Sequence, residues 1–376
     1  MRFDFDTPVE RAGTWSTRWD RYAGQDVIPL WVADTDFRAA PAILEALAAR
    51  VEHGVFGYST PPHALREAIA ERMARLYRWR VDPGWIVFLP GVVPGLHLAA
   101  RKLVPAGGHA VIPRPVYHHF KRALELAPRA FTEVPLVLDG RRWTFDPESL
   151  RQSIRGETSA FFLCNPQNPG GTVFRREELE RLADLTGERI LVSDEIHCDL
   201  ILEQGLQHIP IASLAPEISR RTVTLMSANK SFNIPAAGCG WAIVEDAKLR
   251  AAFSGEVAAH VIGSPSVSGL VATLAALSGG ADWLTAQLAY LRGNRDLVES
   301  TIGFPMAHVE ATYLAWMDCS SVPNAAELFL THGVAVYDGA QFGDPGFIRL
   351  NFGTQRARLQ QALQRIRNAS RPSPRG

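Results

Sequence analysis

Short apolar runs alternate with segments of helical periodicity between residue 85 and about residue 244. An apolar run of roughly four to eight residues is typical of a buried strand, and an amphipathic helix repeats apolar residues every three or four positions. Repeated alternation of the two predicts an α/β fold with a largely parallel sheet covered by helices on both faces. The predicted strands are 85–89, 109–112, 159–163, 190–193, 222–226 and 241–244. Of the helices between them, one ends near residue 103 and two others span about 117–127 and 175–187.

The two ends of the chain follow a different pattern and predict a second, smaller domain. Residues 1–37 are irregular and rich in aromatics, and the segment 29–37 suits either an edge strand entering a functional loop or an arm on a partner subunit. We predict a large domain at 45–279, a smaller α+β domain at 1–44 and 280–376, and a disordered tail from Arg371. The other predicted elements are helices 41–51, 63–79, 265–277, 281–300 and 354–368, and strands 313–317, 334–337 and 347–350.

The charge composition excludes several classes of partner. Acidic and basic residues number 39 each, so the formal net charge is zero, and no block of like charge occurs. Neither a nucleic acid nor an anionic membrane is therefore expected as the main partner. Four cysteines without a Cys-x-x-Cys pair predict neither disulfides nor a metal site. With no signal peptide at the start and no apolar run near the ~18 residues of a membrane span, we expect a soluble, cytoplasmic protein.

Lysine is scarce in this chain, and one lysine stands at a strand end. Only four lysines occur, and Lys230 lies in the stretch 227–235, just after the predicted strand 222–226. The carboxyl ends of strands are where α/β proteins place their chemistry. A lysine there is easily desolvated and loses its charge, as a Schiff-base amine must. A single lysine in a loop is more often an ordinary surface residue, so Lys230 alone decides little.

Two other strand ends carry polar residues that complement this lysine. A turn containing Asn168 follows the strand 159–163, and Asp194 follows the strand 190–193. The carboxyl ends of parallel strands meet at one edge of a sheet, so the amide, the carboxylate and the lysine should converge. An ionised aspartate can keep a pyridine nitrogen protonated, an asparagine amide can donate to a phenolate oxygen, and a lysine can form an imine. This set is what pyridoxal phosphate needs in order to act as an electron sink.

Three turns are ambiguous when each is taken singly. The turn at 90–95 joins a strand to a helix, where free backbone N–H groups can bind an anion, but it is neither a Walker nor a Gly-x-Gly-x-x-Gly loop. Tyr117 follows a strand end, where it either stacks on a planar ligand or caps the next helix. Tyr58 lies in a Gly/Pro turn, where it is either presented to a ligand or packed within the turn.

Short motifs spread along the chain occur in a specific combination. They are Trp-Val-Ala-Asp-x-Asp-Phe at 31–37, Phe-Gly-Tyr at 56–58, Gly-Val-Val-Pro at 91–94, Asn-Pro-x-Asn-Pro-x-Gly at 165–171, Ser-Asp-Glu-Ile-His at 193–197, Asn-Lys-Ser-Phe-Asn-Ile at 229–234 and Phe-Ile-Arg-Leu-Asn-Phe at 347–352. With these motifs the chain resembles the fold-type I pyridoxal-phosphate enzymes of the aminotransferase class I/II superfamily. Within that superfamily it is most similar to the cystathionine β-lyase group, the MalY/PatB-like proteins, over essentially its whole length.

The resemblance implies a role for individual residues. Lys230 would be the Schiff-base lysine and would move the proton at the substrate α-carbon, Asp194 would pair with the pyridine nitrogen, and Tyr117 would stack on the ring. Arg349 would bind the substrate α-carboxylate in a bidentate manner, with Ala33 close to the same carboxylate. The other contacts would be Asn168 and His197 near the phenolate oxygen, Gly91, Val92, Val93 and Ser227 at the phosphate, and Tyr58, which would reach the phosphate and substrate from the neighbouring subunit of a homodimer.

Two departures from the superfamily pattern bear on the reaction. Many members carry an arginine eight residues after the lysine, whereas position 238 here is Gly. The β-lyase group commonly lacks that arginine, so the lyase branch is favoured. The segment 341–346 before Arg349 is shorter than the usual family loop, which leaves pocket size and substrate choice open.

The resemblance predicts a carbon–sulfur β-lyase that eliminates a thiol from cystathionine or a related cysteine S-conjugate, giving pyruvate and ammonia. No second strand-end arginine is evident for a dicarboxylate side chain. Trp31, Phe37 and Tyr117 would instead supply apolar walls for a thioether, and Asp36 would join the wall near the carboxylate. An aminotransferase on the same fold is the alternative, because nearly the same residues serve both reactions. A regulator or binding protein that keeps the cofactor site is a third possibility.

Overall fold

A computed structural model describes residues 3–370 of the chain. The tail from Arg371, which the sequence predicts to be disordered, lies outside the described residues. The strands are β1 (Ile28–Pro29), β2 (Ile86–Leu89), β3 (His109–Arg114), β4 (Ala130–Asp139), β5 (Arg142–Phe145), β6 (Thr158–Cys164), β7 (Ile190–Asp194), β8 (Thr222–Met226), β9 (Gly240–Ile243), β10 (Leu314–Asp318), β11 (Val334–Ala335), β12 (Tyr337–Asp338) and β13 (Phe347–Asn351). The helices are α1 (Pro41–His53), α2 (His63–Tyr77), α3 (Val92–Leu103), α4 (His119–Leu126), α5 (Pro147–Ser153), α6 (Arg176–Thr186), α7 (Pro216–Arg220), α8 (Ala247–Ala258), α9 (Val267–Gly279), α10 (Ala281–Thr301), α11 (Ala325–Thr331) and α12 (Arg356–Ala369).

The largest sheet has eight strands in the order β2-β9-β8-β7-β6-β3-β4-β5. Strands β9 and β5 run antiparallel to their neighbours, and the other six share one direction. The predicted α/β fold with a mostly parallel sheet is therefore confirmed. The register pairs Cys164 with Asp194 and Asp194 with Leu225, so the carboxyl ends of β6, β7 and β8 lie side by side. This alignment brings the loops that follow the three strands to one edge of the sheet.

Both faces of this sheet are covered by helices, as the alternation of buried side chains shows. Phe162 of β6 belongs to a cluster with Leu96 of α3 and Phe120 of α4. The adjacent Phe161 belongs to a different cluster with Leu179 of α6. Successive side chains of a strand point to opposite faces, so a strand buried on both sides is apolar throughout. This is why β6 and β7 are readily predicted from apolar runs alone.

Helix ends follow local capping signals. Helix α1 begins with Pro41 and ends at His53, and the following Gly54 adopts φ 73°. Proline suits the first turn of a helix, and glycine suits a left-handed residue after its end. At the start of α6, the Glu178 carboxylate accepts a hydrogen bond from the Arg175 backbone N–H at 2.6 Å. Such a return contact satisfies one of the free N–H groups of a helix start.

The N-terminal segment and the C-terminal third pack together around two smaller sheets. Strand β1 pairs in parallel with β11, and β13 lies between β10 and β12. The Asn351 side chain donates to the carbonyls of Val32 and Asp34, at 2.5 and 2.6 Å, which ties the irregular segment after β1 to β13. Part of the segment 29–37 is thus a strand end followed by a loop. The division into domains at 45–279 and at 1–44 with 280–376 stays a prediction.

Within residues 3–370, no single helix is long and apolar enough to cross a membrane. Helices α9 and α10 meet the length and composition criteria only when counted together, and they are bent by 83° at the break between them.

Candidate active site

A cavity of about 450 Å³ lies at the carboxyl ends of β6, β7 and β8. Its size is in the range usual for small-molecule sites. The predicted site residues that line it are Ala33, Gly91, Val92, Val93, Tyr117, Asn168, Asp194, His197, Lys230 and Arg349. Most residues singled out in the sequence therefore converge on one cavity, although they come from distant parts of the chain.

Lys230 lies in the loop after β8, with its side chain inside the cavity wall. Its Nζ donates a hydrogen bond to the Ala33 carbonyl at 2.6 Å, and that carbonyl also accepts from the Tyr313 hydroxyl at 3.0 Å. Burial, and then the nearby Arg349, lower the pKa of Lys230 to about 8. A large fraction of this amine is therefore uncharged at mildly alkaline pH, which is the state needed for nucleophilic attack or for accepting a proton.

Asp194 is the last residue of β7 and is 5% exposed. Its carboxylate accepts a hydrogen bond from the Ile196 N–H at 3.1 Å, and it forms no salt bridge with any residue between 3 and 370. Burial raises the pKa of Asp194 to about 7. A buried carboxylate facing a cavity without an ion-pair partner is suited to stabilise a cation that enters the cavity.

Arg349 of β13 is the second buried charge without an opposite charge beside it. Its guanidinium donates to the Asn168 side-chain oxygen at 3.1 Å and to the Trp31 carbonyl at 3.0 Å. The rings of Tyr337 and Phe342 lie 5.0 and 4.7 Å from it. Burial lowers the pKa of Arg349 to about 10, so the group stays charged at neutral pH. Its Nε has no hydrogen-bond partner among the described residues, which leaves capacity for an anionic ligand.

The start of α3 offers a third feature, a set of backbone donors. Gly91 precedes the helix, no side chain caps it, and Val92 and Val93 of the first turn line the cavity. A Cβ on Gly240 of β9 would lie 2.9 Å from the Gly91 carbonyl carbon, so only glycine lets β9 approach so closely. Free N–H groups at a helix start bind phosphate well, because the donors converge and the helix dipole favours negative charge.

His197 and Tyr117 are both uncharged in this environment. Burial, with Lys230 and Arg349 nearby, lowers the pKa of His197 to about 3. Its Nδ1 has no hydrogen-bond partner within the described part of the chain. Burial raises the pKa of Tyr117 to about 12. The cavity thus presents a neutral imidazole and a neutral phenol beside its charged groups.

Four residues discussed in the sequence lie away from the cavity lining. The Ser227 hydroxyl donates to the Cys239 carbonyl at 2.6 Å and accepts from the Asn229 N–H at 3.0 Å. Tyr58 is fully exposed on the loop between α1 and α2. Asp36 and Phe37 were expected in the pocket wall, and that prediction is wrong. Asp36 forms ion pairs with arginines behind the wall, and Phe37 packs in the core against Phe5, with ring centroids 5.1 Å apart.

The cavity also contains residues that sequence reasoning missed. His118 and His119 follow Tyr117 at the start of α4 and line the cavity. Their position just after a strand end could have identified them as candidate site residues. Tyr337 enters through the pairing of β12 with β13, which sets it opposite Arg349. No local pattern marks that pairing. Thr17 and Asn229 complete the polar lining.

The chain matches the family model for aminotransferase class I and II over residues 25–366. The chain belongs to this family. A similar curated protein is the cystathionine beta-lyase PatB of Bacillus subtilis (strain 168), 36% identical, in an alignment covering 97% of this chain and 99% of PatB. This aminotransferase-family chain is also similar to OvoB, whose crystal structure aligns with 43% identity and a TM-score of 0.94, covering 98% of this chain and 99% of OvoB. Cystalysin from Treponema denticola, whose structure contains pyridoxal 5'-phosphate, aligns with a TM-score of 0.92, 28% identity and coverage of 98% and 99%.

The family is dependent on pyridoxal phosphate, and the cavity fits that cofactor chemically. It combines free helix-start N–H groups for a phosphate, a buried carboxylate without a cation, and a lysine with a lowered pKa. Among residues 3–370, no cluster of side chains suited to a metal ion occurs.

Proposed function

We propose that this protein is a carbon–sulfur β-lyase, which eliminates a thiol from a cysteine thioether and yields pyruvate and ammonia. The observation that carries the proposal is the convergence of Lys230, Asp194 and Arg349 on one cavity. Asp194 and Arg349 are buried, Lys230 is half-buried, and none of the three has an opposite charge paired to it among the described residues. The similarity to a cystathionine beta-lyase over nearly the full length supports the lyase branch of the family.

In this proposal the cofactor is held by residues at three strand ends. Lys230 is the residue for covalent attachment, and Asp194 is the partner of the pyridine nitrogen. Gly91, Val92 and Val93 supply backbone donors for the phosphate. The other cofactor contacts are Tyr117 against the ring, Asn168 and His197 toward the ring's phenolate oxygen, and Ser227 near the phosphate, where its hydroxyl acts by fixing the Cys239 carbonyl.

Arg349 has the geometry to hold the substrate α-carboxylate. Its two terminal nitrogens are oriented by Asn168 and the Trp31 carbonyl, and its guanidinium packs against the rings of Tyr337 and Phe342. A planar guanidinium held this way binds a carboxylate with a defined direction. The contact with Arg349 also leaves the Asn168 amide nitrogen free to donate elsewhere. The Ala33 carbonyl, already in contact with Lys230, lies on the same side of the cavity.

The acid–base chemistry falls to Lys230. When bound, pyridoxal phosphate acts as an electron sink that acidifies the α-hydrogen and allows a β-substituent to leave. Lys230, with a pKa near 8, takes the proton from the α-carbon in its uncharged form. The thiolate then leaves from the β-carbon. A thiolate is a far better leaving group than hydroxide, so serine should be a poor substrate.

We also propose that the protein is a homodimer in which Tyr58 completes the partner's site. The supporting observation is that Val51 at the end of α1 and Val55, Phe56 and Tyr58 on the loop after it are all exposed, which is unusual for large apolar residues of a monomer. Mixing Tyr58→Ala with Lys230→Ala subunits tests this. If Tyr58 acts across the interface, each hybrid dimer keeps one intact site, and about a quarter of the wild-type activity should return. No recovery on subunit exchange would contradict the shared site.

The reaction itself is tested by product analysis. The cofactor-loaded protein is incubated with cystathionine and with S-phenylcysteine, with and without a 2-oxo acid, and pyruvate and thiol are measured. We expect equal amounts of pyruvate and thiol without a 2-oxo acid. Turnover that requires a 2-oxo acid and releases no thiol would show an aminotransferase instead. Cofactor binding without any turnover would favour a regulator or binding protein.

A further inference from the structure

One wall of the cavity is formed by aromatic rings, and the proposed chemistry gives no role to the His118 ring among them. The His118 ring lies 4.6 Å from Tyr117, 4.7 Å from His119 and 6.1 Å from Tyr337, measured between ring centroids. Tyr337 in turn covers the guanidinium of Arg349 at 5.0 Å. His118 lines the same cavity and is therefore one ring beyond the proposed anchor of the substrate carboxylate.

The charges of the cavity are already assigned by the proposed function. Of the side chains that line it, the only ones charged at neutral pH are Asp194, Lys230 and Arg349, counting within residues 3–370. The amino-acid tail of cystathionine carries a second ammonium and a second carboxylate. Among the lining residues just counted, neither group would find an opposite charge that the proposed function has not already assigned. A desolvated charge without a partner is strongly unfavourable.

His118 offers a neutral hydrogen-bond donor instead. Burial, with His119 and Arg349 nearby, lowers the pKa of His118 to about 4, so the ring is uncharged at neutral pH. Its Nδ1 is buried and has no partner among the described residues. A buried N–H without an acceptor is rarer and costlier than an acceptor without a donor, which assigns the proton to Nε2. Nε2 is then the polar atom through which His118 can contact a ligand, and it donates.

We propose that His118 selects the sulfur-bound group of the substrate, favouring an uncharged planar group with a hydrogen-bond acceptor over a zwitterionic tail such as that of cystathionine. This proposal rests on the proposed function, because it takes the site to bind a cysteine thioether through Arg349. The flat rings of His118 and Tyr337 supply contact area for the planar group.

Binding of carbon isosteres, in which CH2 replaces sulfur so that no thiolate can leave, tests the proposal without turnover. The probes are 2-amino-4-phenylbutanoate, its three pyridyl analogues and 2,7-diaminooctanedioate, which replaces cystathionine. They are titrated calorimetrically into cofactor-loaded protein at pH 8, where the pyridines are uncharged. The best pyridyl analogue should bind about three- to tenfold more tightly than the phenyl compound, the value of one neutral hydrogen bond. The diaminooctanedioate should bind more weakly than both.

Variants identify the residue responsible. His118→Gln keeps a donor near the Nε2 position and should retain the pyridyl preference, whereas His118→Phe keeps a ring without a donor and should lose it. His97→Phe is the matched control, since His97 packs on His119 outside the cavity lining, and its pyridyl preference should equal that of wild type.

Three results would overturn the proposal. They are equal binding of phenyl and pyridyl compounds to wild type, a preference that survives His118→Phe, and tightest binding of the diaminooctanedioate. If none of the amino acids binds at all, the proposed function itself fails.

Discussion

Two groups of buried charges lie on opposite sides of the segment that contains Ala33, and they are built differently. Behind the segment, Asp36 is completely buried and pairs with Arg18 at 3.3 Å and Arg11 at 2.9 Å. It also accepts hydrogen bonds from Trp19 and Thr354, at 2.9 and 2.7 Å. Although burial alone would raise it, the arginines and these donors hold the pKa of Asp36 below its ordinary value.

In front of the segment, none of the three cavity charges forms a salt bridge with any residue that the structure describes. Asp194, Lys230 and Arg349 all have pKa values displaced toward their neutral forms, and in each case burial is the main cause. A folded protein keeps such unfavourable charges only where another requirement is met. Paired charges thus hold the segment in place, whereas the unpaired charges are available to a ligand that enters the cavity.

Replacing Lys230 should have the largest effect. Lys230→Ala removes both the amine for covalent attachment and the base at the α-carbon, so elimination should fall by at least about a thousandfold. A borohydride-reducible cofactor adduct, seen by mass spectrometry in wild type, should be absent. Lys248→Ala, on the exposed side of α8, is the matched control and should keep both. An adduct that persists in Lys230→Ala would disprove the assignment.

Disrupting the paired group, the ion pairs around Asp36, should affect stability rather than chemistry. Asp36→Ala leaves Arg18, which is also completely buried, with Asp34 at 3.2 Å as its remaining carboxylate partner, and should lower the free energy of unfolding by about 3 kcal/mol. The folded fraction should still bind the cofactor and react, because Asp36 does not line the cavity. Urea unfolding, together with activity per folded molecule, measures the two effects separately. Loss of cofactor binding at unchanged stability would contradict this division of roles.

Replacing one arginine from each group should sharpen the comparison with a smaller effect. Arg349→Lys keeps a charge but loses the bidentate geometry, so KM for the amino acid should rise roughly ten- to a hundredfold. Arg358→Lys, in the paired group 3.5 Å from Asp36, should leave KM near the wild-type value. Steady-state kinetics on one thioether substrate compares them. Equal changes in KM would mean that Arg349 has no special contact with the substrate.

The cavity was largely predictable because its chemistry is local in sequence. Asn168, Asp194 and Lys230 each follow a recognisable apolar strand, and parallel pairing brings such strand ends together without further information. The motif around Arg349 added the fourth group. Strands β4 and β5 and helices α5, α7, α8 and α11 escaped prediction because their local patterns are weak or, for α5, α7 and α11, only five to seven residues long. Strands β4 and β5 are only partly buried, and the buried positions of α8 are just Phe253 and Glu256, so no apolar stripe marks it.

The positions of Asp36, Phe37 and His118 could not be predicted in this way. Asp36 looked like part of the pocket because its neighbours in sequence are, but Arg11 and Arg18 of an irregular segment turn its side chain to the back. Tyr337 and His118 meet only because β12 pairs with β13 and α4 starts beside them. Such contacts depend on tertiary structure, which periodicity does not contain.

The stability of the cofactor-free protein tests most directly whether the unpaired charges exist for the ligand. Burial raises the pKa of Asp194 from 3.8 to about 7, so between these values the folded state binds more protons than the unfolded state. The free energy of unfolding should therefore fall as pH rises from 4 to 7, by a few kcal/mol at most on the order-of-magnitude scale of such shifts.

Urea unfolding of wild type and Asp194→Asn, each with and without pyridoxal phosphate, is the decisive measurement. Without cofactor the variant should lose this decline between pH 4 and 7 and be at least as stable as wild type at pH 8. With cofactor the order should reverse, because only the charged aspartate stabilises the bound pyridine nitrogen. If Asp194→Asn destabilises the cofactor-free protein as much as the loaded one, Asp194 is a structural residue and the account is wrong.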